Sequence, residues 1–126
     1  MTGKTEYTKN VMRHFLNPKN MGEIKNADST AQVTNPICSD TMKVYLKIKN
    51  NKIIDAKFQT MGCAAAIASS DVACDLAKGK TLKQAETISK DKILKALGGL
   101  PSEKKHCSLL GQDALKKAIK NYKKKV

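Results

Sequence analysis

The sequence has 126 residues, a length that suits one domain able to bury roughly two thirds of its unfolded surface. Hydrophobic residues make up 40% and charged residues 28%, which excludes a disordered chain. Lys and Arg total 24 against 11 Asp and Glu, a net charge of +13, but Arg13 is the sole arginine and aromatics reach only 4%. That composition argues against base-stacking platforms and against sequence-reading of nucleic acid.

The predicted elements begin with a helix on which Tyr7, Val11 and Phe15 recur at helical spacing, ended by Asn17-Pro18. Asn20-Met21-Gly22 reads as a turn. Residues 28 to 35 alternate weakly through Ala31 and Val33, as a strand does. Met42, Val44, Leu46 and Ile48 then alternate with Lys43, Tyr45, Lys47 and Lys49, the period of a half-buried antiparallel strand. Asn50-Asn51-Lys52 reads as a hairpin turn, and Ile54, Ala56 and Phe58 are expected to face inward on the returning strand.

After Gly62 the period changes. Cys63 to Lys78 reads as an Ala-rich helix with Ile67, Cys74 and Ala77 on one face, stopped by Gly79. Thr81-Leu82-Lys83-Gln84 is a capping-box start. Ser89 or Asp91 caps a further helix that Gly98-Gly99 ends. Leu100-Pro101 opens a loop, and a last helix starts near His106 or Cys107, with Leu110, Ala114, Ala118 and Tyr122 on one stripe beside Leu115 and Ile119. Helix, three strands, then helices describes an α+β fold with a three-stranded antiparallel sheet and helices packed on it. No boundary or repeat divides residues 1-126, so a single domain is expected.

The longest apolar run, Cys63 to Ala68, is far short of the roughly 20 residues a membrane span needs. No apolar stretch follows Met1 to Glu6, so no signal peptide is read, and the four cysteines are expected in a reducing cytoplasm. The densest basic run is Lys116, Lys117, Lys120, Lys123, Lys124 and Lys125, with no acid among them. It suits the negative end of a helix dipole, and also an acidic partner.

Cys38, Cys63 and Cys107 are expected at element boundaries, where helix starts and Lys104 and Lys105 favour thiolate, the form that binds metal and attacks sulfur. Their separations hold no close pair, so the residues alone leave three readings open: a metal or cluster site with Asp40 or His106 as fourth ligand, a catalytic thiol, or unrelated cysteines. Cys74 reads as a buried hydrophobe, His14 as structural, and Met12, Met21, Met42 and Met61 as packing residues.

In order and spacing, His14-Phe15-Leu16-Asn17-Pro18-Lys19-Asn20-Met21-Gly22, Cys38-Ser39-Asp40-Thr41-Met42-Lys43, Gly62-Cys63, Ala68-Ser69-Ser70 and His106-Cys107-Ser108 with Asp113-Ala114-Leu115 resemble the IscU family of iron–sulfur cluster scaffolds, which includes the N-terminal part of NifU. The resemblance runs from Tyr7 to Tyr122. It implies an IscU/SufE-like fold and a non-enzymatic scaffold. Such a scaffold accepts persulfide sulfur from a cysteine desulfurase, takes iron and electrons from donors, builds a labile [2Fe-2S] cluster and passes it to recipient apo-proteins. By the same resemblance Cys38, Cys63 and Cys107 are ligands and Cys107 accepts persulfide. Asp40 contributes to iron binding and keeps the cluster labile, His106 adjoins the last ligand, and Lys104 assists. Zinc suits the same thiolates. A homodimer around the cluster is one arrangement open to it.

Two departures stand out. Ser39 replaces the usual Gly after Cys38. Leu100-Pro101-Ser102-Glu103-Lys104 lacks the second Pro and the Val that a dedicated Hsp70-type chaperone reads, so that contact is not implied. The rivals are a zinc-bound SufU-like sulfur relay, a basic nucleic-acid-binding module with structural zinc, and a thiol enzyme using Cys107 and His106.

Overall fold

The computed structural model describes residues 7–37 and 39–125, with Lys125 described for its backbone alone; Cys38 lies outside the described residues. Five α-helices and one 3₁₀ run accompany three strands among them. Helix α1 (Lys9–Leu16) is capped by Thr8, whose hydroxyl accepts from the Val11 N–H, and it stops at Asn17 as the following proline requires. Tyr7 stands just before it. The inward stripe carries Val11 and, unexpectedly for a charged-capable ring, His14, both buried.

Strands β1 (Ser29–Thr34), β2 (Thr41–Lys49) and β3 (Lys52–Met61) form an antiparallel meander in that order. Asn50 and Asn51 both have positive φ, 52° and 64°, which is the geometry a tight two-residue hairpin needs. Met42, Val44, Leu46 and Ile48 bury against the helices as their alternation predicts. The β3 pattern is shifted at its start: Ile53 is fully buried, while Ile54 is 53% exposed. The cause is an irregularity in the ladder at Lys47/Ile48, which pairs Ile48 with Ile53 and changes the phase of β3 before Ala56 and Phe58.

Helix α2 (Ala64–Ala77) packs on β3, and α5 (Leu109–Lys125) packs across β1 and β2. The expected single apolar face of α2 is instead burial on nearly all sides, because α1, α4 (Lys90–Leu97), α5 and the 3₁₀ run also lie against it. Small side chains permit that approach. At Gly111 of α5 an added Cβ would stand 2.6 Å from the Cβ of Ala73. Helix α3 (Leu82–Ala85) carries the expected Thr81/Gln84 capping box, and Ser89, not Asp91, caps α4. Met42 is core, but Met12, Met21 and Met61 are exposed, so packing explains only one of the four.

Both sheet edges are covered in part. The Lys117 ammonium donates to the Gln32 carbonyl at 2.9 Å, and Asn121 Nδ2 to the Thr30 carbonyl at 3.1 Å, along β1. On the β3 edge, residues 20–22 form no free turn. Phe58 N–H donates to the Asn20 carbonyl and Gly22 N–H to the Phe58 carbonyl. Leu100 and Pro101, expected to open a loop, are followed by a 3₁₀ run (Ser102–Ser108) that leads directly into α5, so the last helix starts at Leu109 and not near His106 or Cys107.

Candidate metal centre

Three segments meet at one end of the sheet: the loop from β1 to β2, the junction of β3 with α2, and the 3₁₀ run. Asn35, buried after β1, ties the first to the third. Its side-chain oxygen accepts from Ile37 N–H at 2.8 Å, its backbone N–H donates to the Asp40 carbonyl at 2.8 Å, and its Nδ2 donates to the His106 carbonyl at 3.0 Å. Ser39 closes the turn by donating from its N–H to the Asn35 carbonyl, and it takes a φ of +63° to do so. That left-handed backbone is the strain which glycine avoids.

Cys63 is the N-cap residue of α2, as its place after Gly62 predicts, so its sulfur sits at the positive end of the helix dipole. Cys107 does not open an α-helix. It lies near the end of the 3₁₀ run and is fully buried. The two sulfurs are 3.7 Å apart. Thiolates bound 2.3 Å from one tetrahedral ion would stand about 3.8 Å apart, so the pair is spaced for a shared metal. Asp40 completes a trio: its carboxylate and the two sulfurs lie within 4.8 Å of one another. Asp40 Oδ2 also accepts a long bond, 3.4 Å, from Cys63 N–H.

His106 is not part of that trio; its carbonyl serves Asn35 instead. Lys104 faces the site. Its ammonium is held above the ordinary lysine range by the Cys63 thiolate first, then by Tyr7, Cys107 and Asp40, with burial opposing. Tyr7, read from sequence only as a helix residue, belongs to the same surroundings. Burial pushes its phenol up, and Cys63 and Cys107 add to the shift. Asn35, too, was hidden from the sequence reading. Its one local signal is the turn-forming Asn35-Pro36 pair.

Cys74 lies apart from the site within α2, where burial pushes its thiol far up. A second group of potential ligands, His14, Asp71 and Asp75, is internally satisfied. His14 Nδ1 pairs with Asp71, Asn20 Nδ2 donates to Asp71 Oδ1 and Asp75 Oδ1, and the Lys78 ammonium donates to Asn20 Oδ1. No helix among the described residues is long and apolar enough to cross a membrane.

Two thiols and one carboxylate, brought together among the described residues, form a set suited to iron or zinc. The profile of the NifU-like N terminal domain matches residues 6–126. The chain belongs to that family. Among its relatives, the iron-sulfur cluster assembly scaffold protein IscU 1 of Archaeoglobus fulgidus is 52% identical over 119 residues, covering 94% of this chain and 78% of the relative. The iron-sulfur cluster assembly scaffold protein IscU of Azotobacter vinelandii is 44% identical, covering 94% and 95%. A Drosophila melanogaster relative, also 44% identical and covering 94% and 79%, is named an iron-sulfur cluster assembly enzyme. The crystal structure of a NifU-like N-terminal protein from Brucella abortus superposes with a TM-score of 0.74 at 25% identity, covering 94% and 95%. Within this family fold, the sheet end with Asp40, Cys63 and Cys107 is the candidate site.

Proposed function

We propose that the chain is a scaffold for iron–sulfur cluster assembly, building a labile [2Fe-2S] cluster and handing it to apo-proteins. The observation that carries the reading is the pair of sulfurs 3.7 Å apart, at Cys63 and Cys107, with the Asp40 carboxylate beside them. Cys38, two residues before Asp40 in the sequence, is assigned as the third thiolate on the family resemblance. The chain holds and releases its cargo and turns over no small-molecule substrate of its own.

Sulfur arrives on Cys107. Its thiolate attacks the outer sulfur of a desulfurase cysteine persulfide, the S–S bond of that persulfide breaks, and the desulfurase cysteine leaves as thiolate. The Lys104 ammonium, whose pKa is raised by Cys63 first and to a lesser degree by Cys107, is assigned to stabilise the anionic sulfur. Ferrous iron then meets three soft thiolates and the harder oxygen of Asp40, and His106 stands in the same 3₁₀ run as a reserve ligand. Electrons come from a separate donor. The lysines of α5, with Lys116, Lys117 and Lys120 all without an acid among them, suit an acidic face of the desulfurase. Charge reversal at Lys116 and Lys117 is expected to weaken that binding; undiminished binding removes this surface from the account.

The second reading, a zinc-bound sulfur relay, is favoured by the same sulfur spacing, which suits tetrahedral zinc. The fold neighbour from Fervidobacterium islandicum, a putative scaffold for the SUF system with a TM-score of 0.74 at 25% identity over 90% of this chain and 96% of that one, is compatible with it. Anaerobic incubation with ferrous iron, cysteine and a cysteine desulfurase separates the two. The scaffold reading predicts visible and Mössbauer spectra of a [2Fe-2S] centre, lost in Cys38→Ser, Cys63→Ser and Cys107→Ser. Persulfide on Cys107 with bound zinc and no cluster would establish the relay instead.

A further inference from the structure

Gly62 stands between the last residue of β3 and the N-cap of α2, exposed to solvent. Its φ is outside the left-handed region, so its backbone accepts an alanine without strain. Space is what it lacks. A Cβ built on Gly62 would lie 2.5 Å from Asp40 Cγ, 2.7 Å from Oδ2 and 2.9 Å from Cβ. The Asp40 carboxylate therefore rests directly on the bare Cα of Gly62.

Neither backbone can readily retreat. Thr41 and Met61, the residues next to this pair, are paired in the β2–β3 ladder, and the Asp40 carbonyl is held by Asn35 N–H at 2.8 Å. Turning the half-buried Asp40 side chain outward, away from Cys63 N–H and from the two sulfurs, relieves the two shortest contacts of a methyl group at position 62, those with Cγ and Oδ2; the contact with Asp40 Cβ needs a further small shift.

We propose that Gly62 is a positioning residue of the site, and that its missing side chain is what seats the Asp40 carboxylate against Cys63 and Cys107. The proposal deepens the scaffold reading and rests on its assignment of Asp40 as a metal ligand. Gly62 itself touches no metal. It acts wholly through Asp40, so its substitution should change the site only when Asp40 is there to be displaced.

The test loads cobalt(II), a spectroscopic stand-in for zinc or ferrous iron, into four whole-chain proteins: wild type, Asp40→Gly, Gly62→Ala and the double variant. Thermal unfolding of each confirms the fold. The expected result is that Asp40→Gly shifts the cobalt d–d bands as an oxygen ligand is lost. Gly62→Ala should shift them in the same direction, and adding it to Asp40→Gly, where no Cβ remains to meet the new methyl, should shift them no further. If Gly62→Ala alone proves too unstable to load, unfolding is compared instead: the double variant should regain the stability that Gly62→Ala loses, and a double variant as unstable as Gly62→Ala would overturn the proposal. A wild-type spectrum in Gly62→Ala, or a further shift on adding Gly62→Ala to Asp40→Gly, would overturn it while leaving Asp40 as a ligand. A wild-type spectrum in Asp40→Gly would overturn the ligand assignment and this proposal together.

Discussion

His14 Nδ1 lies 2.6 Å from Asp71 Oδ2, and both side chains are buried, 57 residues apart in sequence. Asp71 is the hub that fastens the first helix and the segment after it onto α2. Its Oδ1 accepts from Asn20 N–H at 2.9 Å and from Asn20 Nδ2 at 3.1 Å. Removing His14 leaves a buried carboxylate short of its partner, which costs about 3–5 kcal/mol in comparable pairs. His14→Ala should lose about that much in urea unfolding while its folded form keeps the wild-type cobalt spectrum. A loss near zero would mean that Asn20 alone satisfies Asp71.

Ser39 is the strained residue of the site. It holds a φ of +63° beside the position of Cys38, where a non-glycine residue costs about 1–2 kcal/mol. Ser39→Gly should raise the unfolding free energy by about 1 kcal/mol, since glycine also gains freedom in the unfolded chain. A stability equal to or below wild type would contradict this assignment of strain.

Cys74 gives a pH signature. Burial, reinforced by the nearby Asp71, raises its thiol above the ordinary 9.0, so the native state keeps this proton at pH values where the unfolded chain sheds it. Below that value the cysteine has no effect on the pH dependence. Above it the unfolded state binds fewer protons, and stability falls by up to about 1.4 kcal/mol per pH unit. Cys74→Ala lacks this contribution, so its stability relative to wild type should rise between about pH 8 and about pH 10. A constant difference over that range would refute the account.

Asp40 should set how long the cluster stays. An oxygen ligand among thiolates is the mismatched donor for iron in this site. Asp40→Ala is expected to retain its cluster longer, followed as decay of visible absorption under anaerobic chelator challenge. Faster decay than wild type would show Asp40 to be a retaining ligand.

The sheet and the helices were legible because each follows a short period: two in Met42 to Ile48, and a capped helical repeat from Thr81 and from Ser89. Ile54 misled because it is the extra residue of an irregularity in the β2–β3 ladder, which passes from Lys47–Asp55 to Ile48–Ile53 and leaves Ile54 turned outward. Of the site residues that the sequence singled out, Cys63, Cys107 and Asp40 meet, while His106 stands outside that group and Cys38 lies outside the described residues. What stayed hidden depends on contacts between distant segments. Asn35 holds two loops together, Tyr7 joins the thiols from the N-terminal side, Gly62 yields space to Asp40, and His14 finds Asp71. No local pattern encodes those meetings, because each is set by how the helices pack on the sheet.

The central claim is that the chain both assembles a cluster and gives it up. Its most direct test is transfer: protein carrying a cluster built anaerobically is mixed with an apo-ferredoxin, separated, and both are read by visible absorption, with a chelator present to trap any free iron. The account predicts that the ferredoxin gains a [2Fe-2S] centre as this protein loses one, with little iron in the chelator. A cluster that stays on the protein, or iron that reaches only the chelator, would contradict it.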